Sequence, residues 1–193
     1  MKRKRIINRV SLMLAYILYL SCIFTTQAKA DIYPGGFASG HLSYGIGGGS
    51  SSNVDAAAAQ WNGTGLSTVS LTRNNTTNTY GPVANIVTYC GTHEPPTSGD
   101  LGEMIPYKAW TGTSATPAGI GDTWNKAIVY QYANSALSTT TRKIATITHE
   151  LGHCLALAHP TNSPSSSIMY QGVKDSYAIA YYDITELIRK WSN

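Results

Sequence analysis

The stretch HELGHCLALAHPTNSPSSSIMYQG, residues 149–172, holds three of the five histidines of the chain, at intervals of four and six, with Glu150 directly after the first. At about 100° per residue on an α-helix, His153 falls about 40° from His149, one turn further along the same face. Two imidazoles so placed can converge on one cation. Ile144, Ile147, Leu151, Cys154 and Leu155 fall on the opposite side and give the helix a face to bury. Glu150, about 100° round the wheel, flanks the pair without pointing along their bisector. It is placed to hold a water beside a metal rather than to ligate it.

In an unbroken helix, His159 would lie about 9 Å beyond His153 along the axis and well round the cylinder. It can join the pair only if the helix ends near Leu155–Leu157 and the chain turns back. Pro160 suits a chain that has left the helix. Glycine is favoured at a left-handed helix end, where an L-residue costs about 1–2 kcal/mol, yet this chain carries Ala156. The expectation is that Ala156 strains the turn without disabling the site.

The surroundings suit export. A basic MKRKR precedes the apolar run VSLMLAYILYLSCIF, and Ala28, Lys29 and Ala30 follow, so residues 1–30 read as a signal peptide. The apolar run is shorter than the roughly 20 residues of a membrane span. Six of the fourteen basic residues lie in this leader and all ten acidic residues lie beyond it. Residues 31–193 therefore carry eight basic against ten acidic groups, a net charge of −2. The basic balance of the whole chain belongs to the leader and gives no reason to expect nucleic acid as a partner. The expected location is outside the cell or on the exterior of the envelope, with no stable membrane insertion after cleavage. Cys90 and Cys154 remain in the exported part, and an oxidising compartment allows them to pair.

One domain is expected over residues 31–193. HLSYGI (41–46), LSTVSLTR (66–73), ANIVTYC (84–90) and KAIVYQYA (126–133) read as strands. A helix is expected from Asn53 to Asn62, a second from about Thr140, and a third over residues 176–191. Residues 91–123, with four prolines and several glycines, read as a long functional loop.

HELGHCLALAH followed by SIMY resembles the metzincin zinc endopeptidases, whose pattern is H-E-x-x-H-x-x-G-x-x-H with a downstream Met-turn. The resemblance implies His149, His153 and His159 as zinc ligands, Glu150 as general base and Met169 as the Met-turn methionine. Tyr170 directly after Met169 is closer to the matrixin branch, as is the order of strands and helices. Ala156 departs from the pattern, no cysteine-switch propeptide is recognisable, and the matrixins' structural zinc and calcium segments are not recognisable in residues 91–123. The looser bacterial matrixin-like secreted proteases fit best. The implied fold is α+β, a twisted mixed sheet of about four or five strands with two long helices and a C-terminal helix. The implied activity is hydrolysis of peptide bonds in an extended protein or peptide substrate by a monomer. Substrate is expected along a sheet edge, with KAIVYQYANS (126–135) as the candidate strand.

Blander readings stand beside these. Asp100, Glu103 and Asp122 offer the oxygens that calcium takes, although a solvated loop is the preferred reading. His41 and His93 read as surface residues, and Asp183 and Glu186 as the polar face of the last helix. Glu186 as a metal ligand on a later helix lacks the companion acid that pattern requires. A secreted zinc-binding or adhesion module without proteolytic activity is the rival function, and a binder acting through residues 91–123 is a third.

Overall fold

The computed structural model describes residues 31–161 and 166–192; the leader and its expected cleavage site lie outside them. Residues 31–193 form one compact unit. Strands β1 (His41–Gly49), β2 (Ser70–Arg73), β5 (Ile86–Cys90) and β8 (Lys126–Gln131) run parallel in the order β2-β1-β5-β8. β6 (Gly102–Trp110) then pairs antiparallel with β8, and β7 (Ala115–Pro117) antiparallel with β6. A small separate hairpin joins β3 (Thr77–Asn78) and β4 (Gly81–Pro82). The main sheet thus has six strands, slightly more than expected.

The extra strands lie within residues 91–123, where the sequence predicts a loop. Pro106 is the reason they were missed, since proline reads as a strand breaker. Here its carbonyl accepts from Ala118 N at 2.9 Å. A residue's N and C=O point to the same side of a strand, so the missing N–H faces away from β8. β8 itself lies between β5 and β6, which corrects the expectation that residues 126–135 form the substrate edge. Among the described residues β7 pairs with β6 over Tyr107–Trp110, and no strand pairs with the outer side of Gly102–Ile105.

Helices α1 (Ser51–Asn62) and α2 (Thr140–Cys154) pack together over the sheet. Ser50 caps α1 by accepting from Asn53 N at 3.4 Å, so this helix begins before the expected Asn53. Thr139 caps α2 through Arg142 N at 3.2 Å. Val54, Ala57, Ala58 and Trp61 of α1 meet Ile144, Ile147, Leu151 and Cys154 of α2 in one core with Ile86, Ala127 and Val129 of the sheet. Trp61 Nε1 donates to Thr148 O at 2.9 Å, which ties the two helices together. The last helix, α3, spans Tyr181–Trp191 rather than 176–191. Asp183 sets its start by accepting from Ala180 N at 3.0 Å. Among the described residues no helix is long and apolar enough to cross a membrane.

One pairing that the sequence left open is not formed, and one expectation is corrected by burial. Cys90 and Cys154 are free thiols; Cys90 Sγ donates to Gln131 Oε1 at 3.0 Å instead, and Cys154 is fully enclosed in the core. Asp183 and Glu186 are buried, not an exposed polar face.

Candidate metal centre

The site is built at the C-terminal end of α2. The helix stops at Cys154, and Leu155 is its cap residue. Ala156 N donates to His153 O at 2.9 Å and Leu157 N to Gly152 O at 3.0 Å, the paired bonds of a Schellman ending. Ala156 carries φ +65°, the only positive φ outside glycine among the described residues. The left-handed turn inferred from the His153–His159 interval is therefore present, with alanine bearing it. Its methyl group is fully buried and lies 3.1 Å from where a Cβ on Gly36 would stand. Trp191 Nε1 donates to Leu155 O at 3.0 Å, satisfying a carbonyl the helix end leaves open.

The turn brings His159 back to the helical pair. His159 Nε2 stands 3.0 Å from His149 Nε2 and 3.1 Å from His153 Nε2. Three ring nitrogens held about 2.0–2.1 Å from one tetrahedral zinc would be about 3.3 Å apart, so the donor set fits such an ion. Among the described residues, this is the one group of three or more such side chains able to hold a metal. His149 Nδ1 donates to Ile168 O at 2.8 Å and His153 Nδ1 to Leu157 O at 2.8 Å. With Nδ1 protonated, Nε2 is left as the free donor atom. Burial lowers His149 to about 4 and His153 to about 3, and lowers His159 as well. All three are neutral at pH 7.

Glu150 is 5% exposed, and its carboxyl group opens to a cleft rather than accepting from a donor among the described residues. Loss of solvent, and then the charge of Glu103, raise it to about 8. It lines this cleft, of about 380 Å³, together with Tyr33, Gly102, Glu103, Met104 and the three histidines. Gly102 makes room for it: a Cβ there would come within 3.0 Å of Glu150 Oε1 and 2.7 Å of Thr146 Cγ2.

Met169 is buried against Gly152 of α2, in a turn held by Asp183. Ser167 Oγ donates to Asp183 Oδ1 at 2.5 Å and Ile168 N to Asp183 Oδ2 at 2.9 Å. The sequence reading missed Gly152. A Cβ there would meet Met169 Sδ at 2.4 Å and Trp61 Cζ2 at 2.8 Å, so glycine lets both pack against the helix. A glycine inside a helix costs about 1 kcal/mol against alanine, and that cost was the signal available.

The remaining candidates do not assemble. Asp122 accepts from Gly119 N at 2.8 Å, Asp100 from Thr97 N at 3.2 Å and Glu103 from Tyr132 Oη at 2.7 Å. Each acid is engaged locally, and the three do not gather as a calcium site among the described residues. His41 and His93 are exposed, as expected. Glu186 is held by Arg189 Nη1 at 2.9 Å and by Asp31 N at 3.2 Å, apart from the histidine group.

No protein-family model and no curated protein sequence matches the chain. Among solved structures, that of myroilysin matches with a TM-score of 0.51 and 12% identity, covering 84% of this chain and 98% of that one. At that identity the likeness is one of fold. The mixed sheet, the paired helices and the C-terminal helix make up a fold that this chain shares with that protein.

Proposed function

We propose that the chain is a secreted zinc-dependent endopeptidase of the matrixin-like branch. The observation that carries this is the meeting of three imidazole Nε2 atoms beside a carboxyl group that opens to the same cleft. When bound, zinc supplies a Lewis acid that acidifies water and polarises a carbonyl group. His149, His153 and His159 hold it, each fixed in its tautomer or its turn by the backbone around it. Glu150 accepts a proton from the attacking water and passes it to the leaving amine. In the metal-free cleft burial favours the protonated carboxyl group, and the charge of a bound cation would favour the carboxylate that accepts the proton.

Substrate lies extended along the outer side of Gly102–Ile105, which no strand among the described residues covers and whose Gly102–Met104 portion lines the cleft. The enzyme therefore cleaves within unfolded or loop segments. The leader supports export, and the tyrosine directly after Met169 supports the matrixin-like branch. Profiling the cleavage of a broad peptide library tests the proposal: internal cuts abolished by a chelator and restored by zinc are expected. Metal uptake without any cleavage would favour the non-proteolytic zinc-binding module, and removal of terminal residues alone would exclude an endopeptidase.

A further inference from the structure

Residues 31–36 come from the start of the domain, far in sequence from the histidine motif, yet they run along it. Ile32 and Leu157 form an antiparallel bridge. Tyr33 N donates to Ala156 O at 2.7 Å and Ala158 N to Asp31 O at 2.8 Å. The Asp31 carboxylate accepts from Thr161 N at 3.3 Å and Thr161 Oγ1 at 3.1 Å. This strap thus grips the chain on both sides of His159. It also delivers one side chain into the cleft, that of Tyr33.

Tyr33 touches a candidate ligand by both its face and its hydroxyl group. Its ring stacks on His153 with centroids 5.7 Å apart and planes at 26°. Its Oη stands 3.2 Å from His153 Nδ1. With Nε2 of His153 directed at the other two histidines, Nδ1 carries the proton and donates, to Leu157 O at 2.8 Å and to Tyr33 Oη as a second acceptor. The phenol cannot easily swing away. Trp124 packs edge-on against it at 6.0 Å, and the backbone carbonyl of Tyr33 accepts from Lys190 Nζ at 3.0 Å. A single backbone acceptor fixes the tautomer of His153; the stacked ring and second acceptor fix its rotation as well.

We propose that Tyr33 is a positioning residue for the metal centre, holding the His153 imidazole in the orientation that directs Nε2 at the ion. This rests on the metal-site reading above. Partners of this kind, which orient a ligand from behind, typically change metal affinity 10–100-fold when removed. A residue that served only to fill space would be replaced by phenylalanine without effect on the ion.

The test uses the chain from Asp31 onward, stripped of metal and titrated with Co²⁺ and with Zn²⁺ against a competing chelator. Tyr33→Phe keeps the stacked ring and loses the second acceptor; Tyr33→Ala loses both. The expected result is a roughly 10-fold weaker metal for Tyr33→Phe, a further loss for Tyr33→Ala, and a shifted cobalt d–d absorption band in both. The metal-free Tyr33→Phe protein should melt at the wild-type temperature, which separates loss of positioning from loss of fold. Equal affinity and an identical cobalt spectrum in Tyr33→Phe would overturn the role of Tyr33 and leave the metal centre standing. A wild-type chain that takes up neither ion would overturn the metal centre itself.

Discussion

Two buried carboxyl groups within one domain, Glu150 and Asp183, have opposite surroundings. Asp183 is 1% exposed and accepts from Ser167, Ile168 and Ala180, holding the turn that meets His149 to the start of the last helix. Glu150 is 5% exposed and has no such donor among the described residues; its carboxyl group is raised to about 8. Burial alone therefore does not mark a reactive acid. The mark is hydrogen-bonding capacity left open at a cleft. Asp183 has used its capacity on the fold, and Glu150, the proposed general base, leaves its own open to the cleft.

The sharpest way to break this contrast is Glu150→Gln. It should lower kcat by about 10²–10⁴-fold, the usual worth of a general acid–base group, while zinc binding and melting temperature hold. Turnover near the wild-type rate would remove Glu150 from the mechanism. Asp183→Ala should do the reverse and act first on the fold. Leaving the buried Ser167 and Ile168 donors without an acceptor should cost about 3 kcal/mol in urea unfolding. An unchanged unfolding midpoint would mean that the turn does not depend on this carboxylate.

A smaller effect lies in the pH dependence of the metal-free protein. Glu150 is raised from 4.5 to about 8, so between those values the folded state binds more protons than the unfolded one and stability falls as pH rises. His149 and His153 are lowered from 6.5, so their contribution has the opposite sign and is complete above pH 6.5. From pH 6.5 to 8 the decline due to Glu150 stands alone among these three groups. Glu150→Gln should flatten it, and a wild-type slope that persists in the variant would assign the decline elsewhere.

The smallest expected change is Ala156→Gly. Relief of the left-handed conformation, about 1–2 kcal/mol, is offset by a lost buried methyl group at about 0.8 kcal/mol and by glycine's extra chain entropy, about 0.5–1 kcal/mol. Stability should stay within about 1 kcal/mol of wild type, and zinc affinity should be equal or higher. Clearly weaker zinc under chelator competition would show that the alanine methyl group itself supports the site.

The histidine motif was legible because its members lie within one helix and one turn, where spacing along the chain translates directly into geometry. His149, His153, His159, Glu150 and the reversal at Ala156 all follow from that local rule. The parallel strands were legible for the same reason, through their apolar runs. β6 was not, because Pro106 and Gly102 argue against a strand until it is known which side of each faces a neighbour. Tyr33 was invisible for a different reason. Its value depends on a strap returning across the end of the zinc-motif helix, and no local pattern records that return. The buried state of Asp183 and Glu186 likewise depends on what the last helix packs against, since its own periodicity reads as amphipathic.

The contact between Ala156 and Gly36 carries a consequence for how this sequence could vary. A methyl group fits at 156 because position 36 has none, but the two positions are not interchangeable. Gly36 has φ +128° and would be strained by any side chain even if 156 became glycine. Position 156 can therefore move between glycine and alanine with position 36 unchanged, whereas position 36 cannot follow. The order of steps is fixed: the glycine at 36 is the permission, and the alanine in the histidine motif is the liberty taken under it.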